Sequence, residues 1–117
     1  MKNAAKCLHA FGAPSSVKVY PGATKPLIRI PRYDPEIHGT SGLGGVEGLP
    51  SIEEEGVKSR LPASAITSSA LQGMAAAVRD TWKNGAGQKV VLVSSGPMTN
   101  IALFSSVYPE LVDGLGM

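Results

Sequence analysis

Two stretches of this sequence hold groups that could take part in chemistry. The first is residues 37–45, "IHGTSGLGG", in which His38 precedes a run of glycines. An imidazole beside a glycine-rich loop can turn toward a ligand, and because histidine side chains change charge near neutral pH they can donate a proton to a leaving group. A histidine in a surface loop is also common without such a role. His38 is therefore a candidate catalytic residue that needs further support.

The second stretch is residues 90–103, "VVLVSSGPMTNIAL". A run of β-branched residues breaks at Gly96-Pro97, and in open α/β sheets ligands bind at the carboxyl ends of strands. One interpretation is an ordinary helix start, with Thr99 as the N-cap whose hydroxyl accepts a backbone N–H. The other is that the break leaves a backbone carbonyl near Thr99 free to bind a hard cation such as Ca²⁺. The residues alone leave both interpretations open.

Other chemical motifs are absent. The sequence has no phosphate-binding Gly-x-x-x-x-Gly-Lys-Ser/Thr loop, and Glu47 replaces the third glycine of a Gly-x-Gly-x-x-Gly pattern. Ser41 does not lie in a Gly-x-Ser-x-Gly elbow, which argues against a serine hydrolase. Cys7 and His9 lack partners at the spacing of a zinc site.

The elements that would position these groups alternate between helix and strand. Apolar spacing predicts a helix over residues 3–11, a strand over 17–20 and an amphipathic helix over 63–83. It further predicts a strand over 90–94 that is covered on both faces, and a last helix that ends before Pro109. This order is typical of an α/β protein.

One long segment does not fit that alternation. Residues 25–62 are rich in proline and glycine, which favours a functional loop or a mobile segment. The acidic run at residues 53–55 is typical of a solvated surface patch.

The size and composition of the chain favour a single globular domain. The chain has 117 residues, 43% of them hydrophobic, which suits a single modest core. A net charge of +2 with scattered Lys and Arg gives no reason to expect nucleic acid, and no apolar run approaches the roughly 20 residues of a membrane span. One cysteine and no secretory leader pattern make the cytoplasm the expected location.

Three segments taken in series resemble the inosine-uridine preferring nucleoside hydrolases. "VKVYPGATKPLIR" is similar to the family's strand and G-A-x-x-P-L turn, and "IHGTSGLGG" to its H-G-x-x-G-L-G loop. "VVLVSSGPMTNIAL…YPEL" is similar to its G-P-L-T-N-I-A junction, with Met98 in place of Leu. The resemblance implies an α/β fold, part of an open sheet with flanking helices in Rossmann-like layers. It also implies hydrolysis of the N-glycosidic bond of ribonucleosides to base and ribose.

The resemblance assigns roles to both candidate residues. It implies one calcium ion, to which the residue matching Thr99 supplies its backbone carbonyl, and bound metal makes a water nucleophile available near neutral pH. The residue matching His38 would lie near the nucleobase and contact the leaving group. The substrate would be a ribonucleoside, and the whole protein a homo-oligomer.

The sequence also departs from the family. Its amino-terminal D-x-D-P-G-x-D-D cluster is absent, and the chain stops before the family's M-G-G strand. We therefore expect residues 1–117 to form a partial nucleoside hydrolase domain that is inactive alone. The alternatives are a non-catalytic relic or interaction module that keeps the α/β layer, and an unrelated nucleotide-binding domain whose motifs match by coincidence.

Overall fold

The computed structural model describes residues 1–63 and 68–116. The helices are α1 (Lys2–Ala10), α2 (Pro35–His38), α3 (Glu55–Lys58), α4 (Ala70–Trp82) and α5 (Thr99–Val107), with 3₁₀ turns at Lys83–Gly85 and Pro109–Gly114. The strands are β1 (Val90–Val91) and β2 (Leu115–Gly116). Helices around a small sheet are consistent with the predicted α/β class.

The sheet is smaller than the sequence predicts. β1 pairs in parallel with β2, with Val90 opposite Leu115. Val91 and Val93 are 71% and 83% exposed, so the prediction that residues 90–94 form a strand covered on both faces is wrong. With one neighbouring strand and helices on one side, only alternate side chains are covered.

The predicted strand at residues 17–20 is also absent from the structure. The Val19 N–H donates to the carbonyl oxygen of Arg60 at 2.9 Å. An alternating pattern cannot form a strand without a partner that supplies a ladder of hydrogen bonds.

Helix α4 starts later than its apolar pattern predicts. Ser69 begins the helix through a reciprocal capping box: its hydroxyl accepts the Gln72 N–H, and the Gln72 side chain accepts the Ser69 N–H at 2.8 Å. Ile66, the first residue of the predicted stripe, lies outside the described residues. The helix ends as predicted just before Asn84-Gly85, because Lys83 takes the left-handed conformation.

The main core lies between α4, α5 and the 3₁₀ turn at Pro109–Gly114. Its buried members are Ala75, Val78, Phe104 and Leu111. Met74 and Trp82 of the predicted stripe pack against this cluster, so the inward face of α4 is confirmed.

A second buried centre lies between α1 and α3. Ala5 and Val57 are fully buried there, and the Arg60 side chain lies beside them with 3% exposure. The proline- and glycine-rich segment 25–62 thus contains two single-turn helices, of which α3 is anchored by its own buried residue. No helix in the described parts of the chain has the length and apolar character needed to cross a membrane.

Candidate functional site

The first turn of α5 places Thr99 one residue inside the helix. Met98 precedes the helix with φ −74° and ψ 7°, and its carbonyl accepts the Ala102 N–H at 2.8 Å. No side chain caps this helix, so the prediction that the Thr99 hydroxyl is the cap is wrong. The reason is that the chain already curves at Met98, which puts Thr99 past the capping position.

The turn at residues 21–23 packs directly onto this helix start. Asn100 Oδ1 accepts the Ala23 N–H at 2.8 Å, a contact between residues 77 positions apart. A Cβ atom on Gly22 would lie 2.7 Å from Asn100 Nδ2, closer than side-chain atoms normally approach. Glycine at position 22 therefore allows the close approach of the turn to Asn100, and a larger residue would force the Asn100 amide to shift.

The same turn also contacts the start of α4. The Pro21 carbonyl accepts the Ala70 N–H, one of the unpaired donors of the first helical turn, at 2.8 Å. The Tyr20 ring packs against Gly73, where a Cβ would lie 2.9 Å from the ring. The turn thus joins the amino-terminal ends of two helices.

Two open grooves flank Thr99. One has a volume of about 280 Å³ and is lined by Pro26, Leu27, Ile28, Arg29, Met98, Thr99 and Ala102. The other, of about 250 Å³, is lined by Ala23, Thr24, Lys25, Pro26, Pro97, Thr99 and Asn100. The strand-to-helix junction therefore faces segment 23–29, which forms the opposite wall.

The described residues around Thr99 are not sufficient by themselves to hold a calcium ion. The charged side chains that line the two grooves are Lys25 and Arg29, both cationic. Calcium takes six to eight oxygen ligands, usually with carboxylates among them. In the parts of the chain that the structure describes, no three His, Cys, Asp or Glu side chains come together to hold a metal. Thr99 would supply one neutral oxygen and no more.

The loop of His38 is ordered by its own hydrogen bonds. His38 ends α2, is exposed, and its carbonyl accepts the Gly44 N–H at 2.8 Å. Gly39 and Gly42 have φ of 69° and 75°, which glycine adopts without strain. Asn3 Nδ2 donates to the Ser41 carbonyl at 2.8 Å and so ties the loop to α1.

The two predicted site residues do not line the same groove among those found beside Thr99 in the described part of the chain. His38 is not among the residues that line the grooves beside Thr99. The structure instead places residues 23–29 against Thr99. Sequence reasoning missed two residues of this arrangement: Gly22 was seen only as part of a turn, and Asn100 only as a helix-start residue. The sequence signal that could have pointed to this turn is the Gly22-Ala23 pair, which lies four residues before Pro26-Leu27.

Residues 92–98 connect β1 to α5, and a groove lies beside the start of that helix; this arrangement is consistent with α/β proteins that bind ligands beyond the carboxyl ends of strands. Comparison with known proteins makes the assignment specific. The sequence profile of the inosine-uridine preferring nucleoside hydrolases matches residues 1–117. The chain belongs to this family of hydrolases.

Individual relatives agree with the profile. The non-specific ribonucleoside hydrolase RihC of Klebsiella pneumoniae is 36% identical over 111 residues, which cover 95% of this chain and 31% of that protein. RihC of Escherichia coli O9:H4 is 34% identical over 109 residues, 93% of this chain and 30% of that protein. An uncharacterized protein of Schizosaccharomyces pombe is 34% identical over 99 residues, 85% of this chain and 26% of that protein. The chain thus spans less than a third of the length of these relatives.

Proposed function

We propose that the whole protein hydrolyses the N-glycosidic bond of ribonucleosides, releasing the base and ribose. The observation that carries the proposal is the family match over residues 1–117, which includes all three motif segments in order. The name of the RihC relatives, non-specific ribonucleoside hydrolase, gives the same substrate class for those proteins.

In this proposal the described residues form one side of the substrate site. Segment 23–29 and the first turn of α5 provide an open groove of the size of a small ligand. In the overall reaction, water replaces the base at the anomeric carbon of the ribose, and the departing base gains a proton. His38 is proposed to donate that proton, because its exposed imidazole follows a short helix and precedes a glycine-rich loop that can approach a bound nucleoside.

The calcium requirement is proposed for the whole protein on the family resemblance alone. Since the grooves beside Thr99 are lined by cations, the carboxylate ligands would come from outside residues 1–117. Rossmann-like layering and a homo-oligomeric state are proposed for the whole protein on the same ground, and a cytoplasmic location is proposed on the low cysteine content. Sedimentation of the whole protein tests the oligomeric state.

The test is an assay of the purified whole protein with inosine and with uridine. Release of reducing sugar together with free base, in equal amounts, is the expected result. Binding of nucleoside without either product would overturn the proposal and favour the non-catalytic alternative. An inactive preparation that binds neither nucleoside nor ribose would overturn the assignment of the groove as well.

A further inference from the structure

Asn100 makes a contact that its own helix does not need. Its side chain leaves the first turn of α5 and reaches the turn at residues 21–23, where one oxygen accepts the Ala23 N–H. A backbone N–H can only donate, so the side-chain atom that faces it is the carbonyl oxygen Oδ1. The amide nitrogen then faces Gly22, which leaves room for it by lacking a Cβ.

The segment that follows Ala23 has few other attachments. Residues 24–29 form the groove wall opposite Thr99, yet in the described structure no backbone-to-backbone hydrogen bond involves residues 24–33. Ile28 is 94% exposed, so burial contributes little to holding the wall in place. The bond at Ala23 is therefore the nearest fixed point between the wall and α5.

We propose that Asn100 is a positioning residue, which holds segment 23–29 as a wall of the substrate groove through the Ala23 amide. It acts on the wall and not on the reacting atoms. The inference rests on the proposed function insofar as the groove is taken to bind a ribonucleoside. The hydrogen bond itself is tested independently of activity.

The first measurement is hydrogen exchange at the Ala23 amide in the whole protein. Asn100→Ala removes the acceptor and should speed exchange about fivefold or more, the factor expected for one lost hydrogen bond. Asn100→Asp keeps an acceptor oxygen, so the exchange rate of the Ala23 amide should stay within about twofold of the wild-type rate. Ser106→Ala is the matched control, because its hydroxyl contacts only the Ala102 carbonyl of the same helix.

A second variant tests the contact from the other side. Gly22→Ala places a methyl group against the Asn100 amide and should displace it from the Ala23 N–H. Exchange at Ala23 should rise as it does in Asn100→Ala, while the Val19 amide, which is bonded to Arg60, should keep its rate.

Kinetics with inosine test the positioning role. A loosened wall weakens ground-state and transition-state contacts alike, so Asn100→Ala should raise KM about fivefold or more with kcat within about twofold. Asn100→Asp should restore the wild-type KM. Unchanged Ala23 exchange in Asn100→Ala, an unchanged KM, or equal losses in the Ala and Asp variants would each overturn the inference. If the wild-type protein cleaves no ribonucleoside, the proposed function is overturned instead. The exchange data then test only the hydrogen bond between Asn100 and the Ala23 amide.

Discussion

The guanidinium of Arg60 donates from Nη1 to the Pro14 carbonyl at 2.8 Å, across 46 positions of sequence. Its other donors reach the carbonyls of Gly56, Val17 and Ala13. The side chain is 3% exposed, and the carbonyls of Ala13 and Pro14 follow the carboxyl end of α1. Four carbonyl acceptors together compensate a buried cation that has no carboxylate among these partners.

Replacement of Arg60 should be strongly destabilising. Arg60→Met leaves four partly buried carbonyls without this donor and should lower the free energy of unfolding by about 3 kcal/mol or more. Arg60→Lys should not restore stability, because an ammonium cannot match the fork of the guanidinium. Urea denaturation of the whole protein measures this, with Arg79→Met, at an exposed ion pair with Glu110, as control. Equal, small losses in both variants would contradict the role of Arg60.

Thr99 should tolerate loss of its hydroxyl. Since no side chain caps α5, both Thr99→Ser and Thr99→Ala should change stability by no more than about 0.5 kcal/mol. If the backbone carbonyl is a calcium ligand in the whole protein, both variants should also keep their calcium affinity.

Thr99→Pro should weaken calcium binding most of the three. Proline is acceptable at the first helical position, but it forces the preceding Met98 away from its ψ of 7° and so shifts the Thr99 carbonyl. Calorimetric titration of the whole protein with calcium makes the comparison. Loss of binding in the Ser and Ala variants with the fold intact would identify the hydroxyl as the ligand.

His38→Ala should affect substrates unequally. Turnover of inosine should fall on the order of 10²–10⁴-fold if His38 protonates the leaving base. An activated nitrophenyl riboside should lose far less, because its leaving group needs no proton. His9→Ala, at the other histidine, is the control and should leave the ratio of the two rates unchanged. Equal small losses on both substrates would show that His38 has no part in the proton transfer.

Residues 1–117 expressed alone should release no ribose from inosine or uridine in the presence of calcium. The described residues bring together no three His, Cys, Asp or Glu side chains that could hold a metal, and the grooves beside Thr99 are lined by Lys25 and Arg29. A reducing-sugar assay on carefully purified material is sufficient. Calcium-dependent release would mean that the site is built from residues of this segment after all.

The ion pair between Glu53 and Lys58 depends on pH through the ionisation of the Glu53 carboxyl. Lys58 Nζ lies 2.9 Å from Glu53 Oε2, and this hydrogen bond, with the charge of Lys58, lowers the pKa of Glu53. The bond is therefore complete above the ordinary glutamate pKa and is lost as the pH falls through the lowered value. Lys58→Met should raise the pKa of Glu53, whereas Lys18→Met should not; an NMR titration of the Glu53 carboxyl reads both. An unchanged pKa in Lys58→Met would show that the pair does not form in solution.

Local sequence patterns predicted the elements that depend on local chemistry. The stripe of Met74, Val78 and Trp82 indicated the buried face of α4, and Asn84-Gly85 indicated its end. Both follow from apolar spacing and from residues that accept a left-handed backbone. The start of α4 was predicted too early, because a hydroxyl and an amide, Ser69 and Gln72, decided where the first turn forms.

The candidate site was likewise predicted correctly in one respect and wrongly in another. Thr99 was correctly located at a strand-to-helix junction, but its hydroxyl proved not to cap the helix. The cause is a backbone torsion at Met98 that no residue type in "GPMTN" dictates. The predicted strand at residues 17–20 is absent for a related reason. A strand forms only where a neighbouring stretch of backbone completes its hydrogen bonds.

The sequence by itself determined the family, because three motifs in fixed order along one chain are a linear property. It also determined the buried face of α4, which follows from apolar spacing. Only the tertiary structure decided that Asn100 contacts Ala23 and that Arg60 donates to the Pro14 carbonyl. These contacts join residues 77 and 46 positions apart. Each depends on how separate elements pack, and no local pattern encodes which distant carbonyl or N–H a polar side chain will meet.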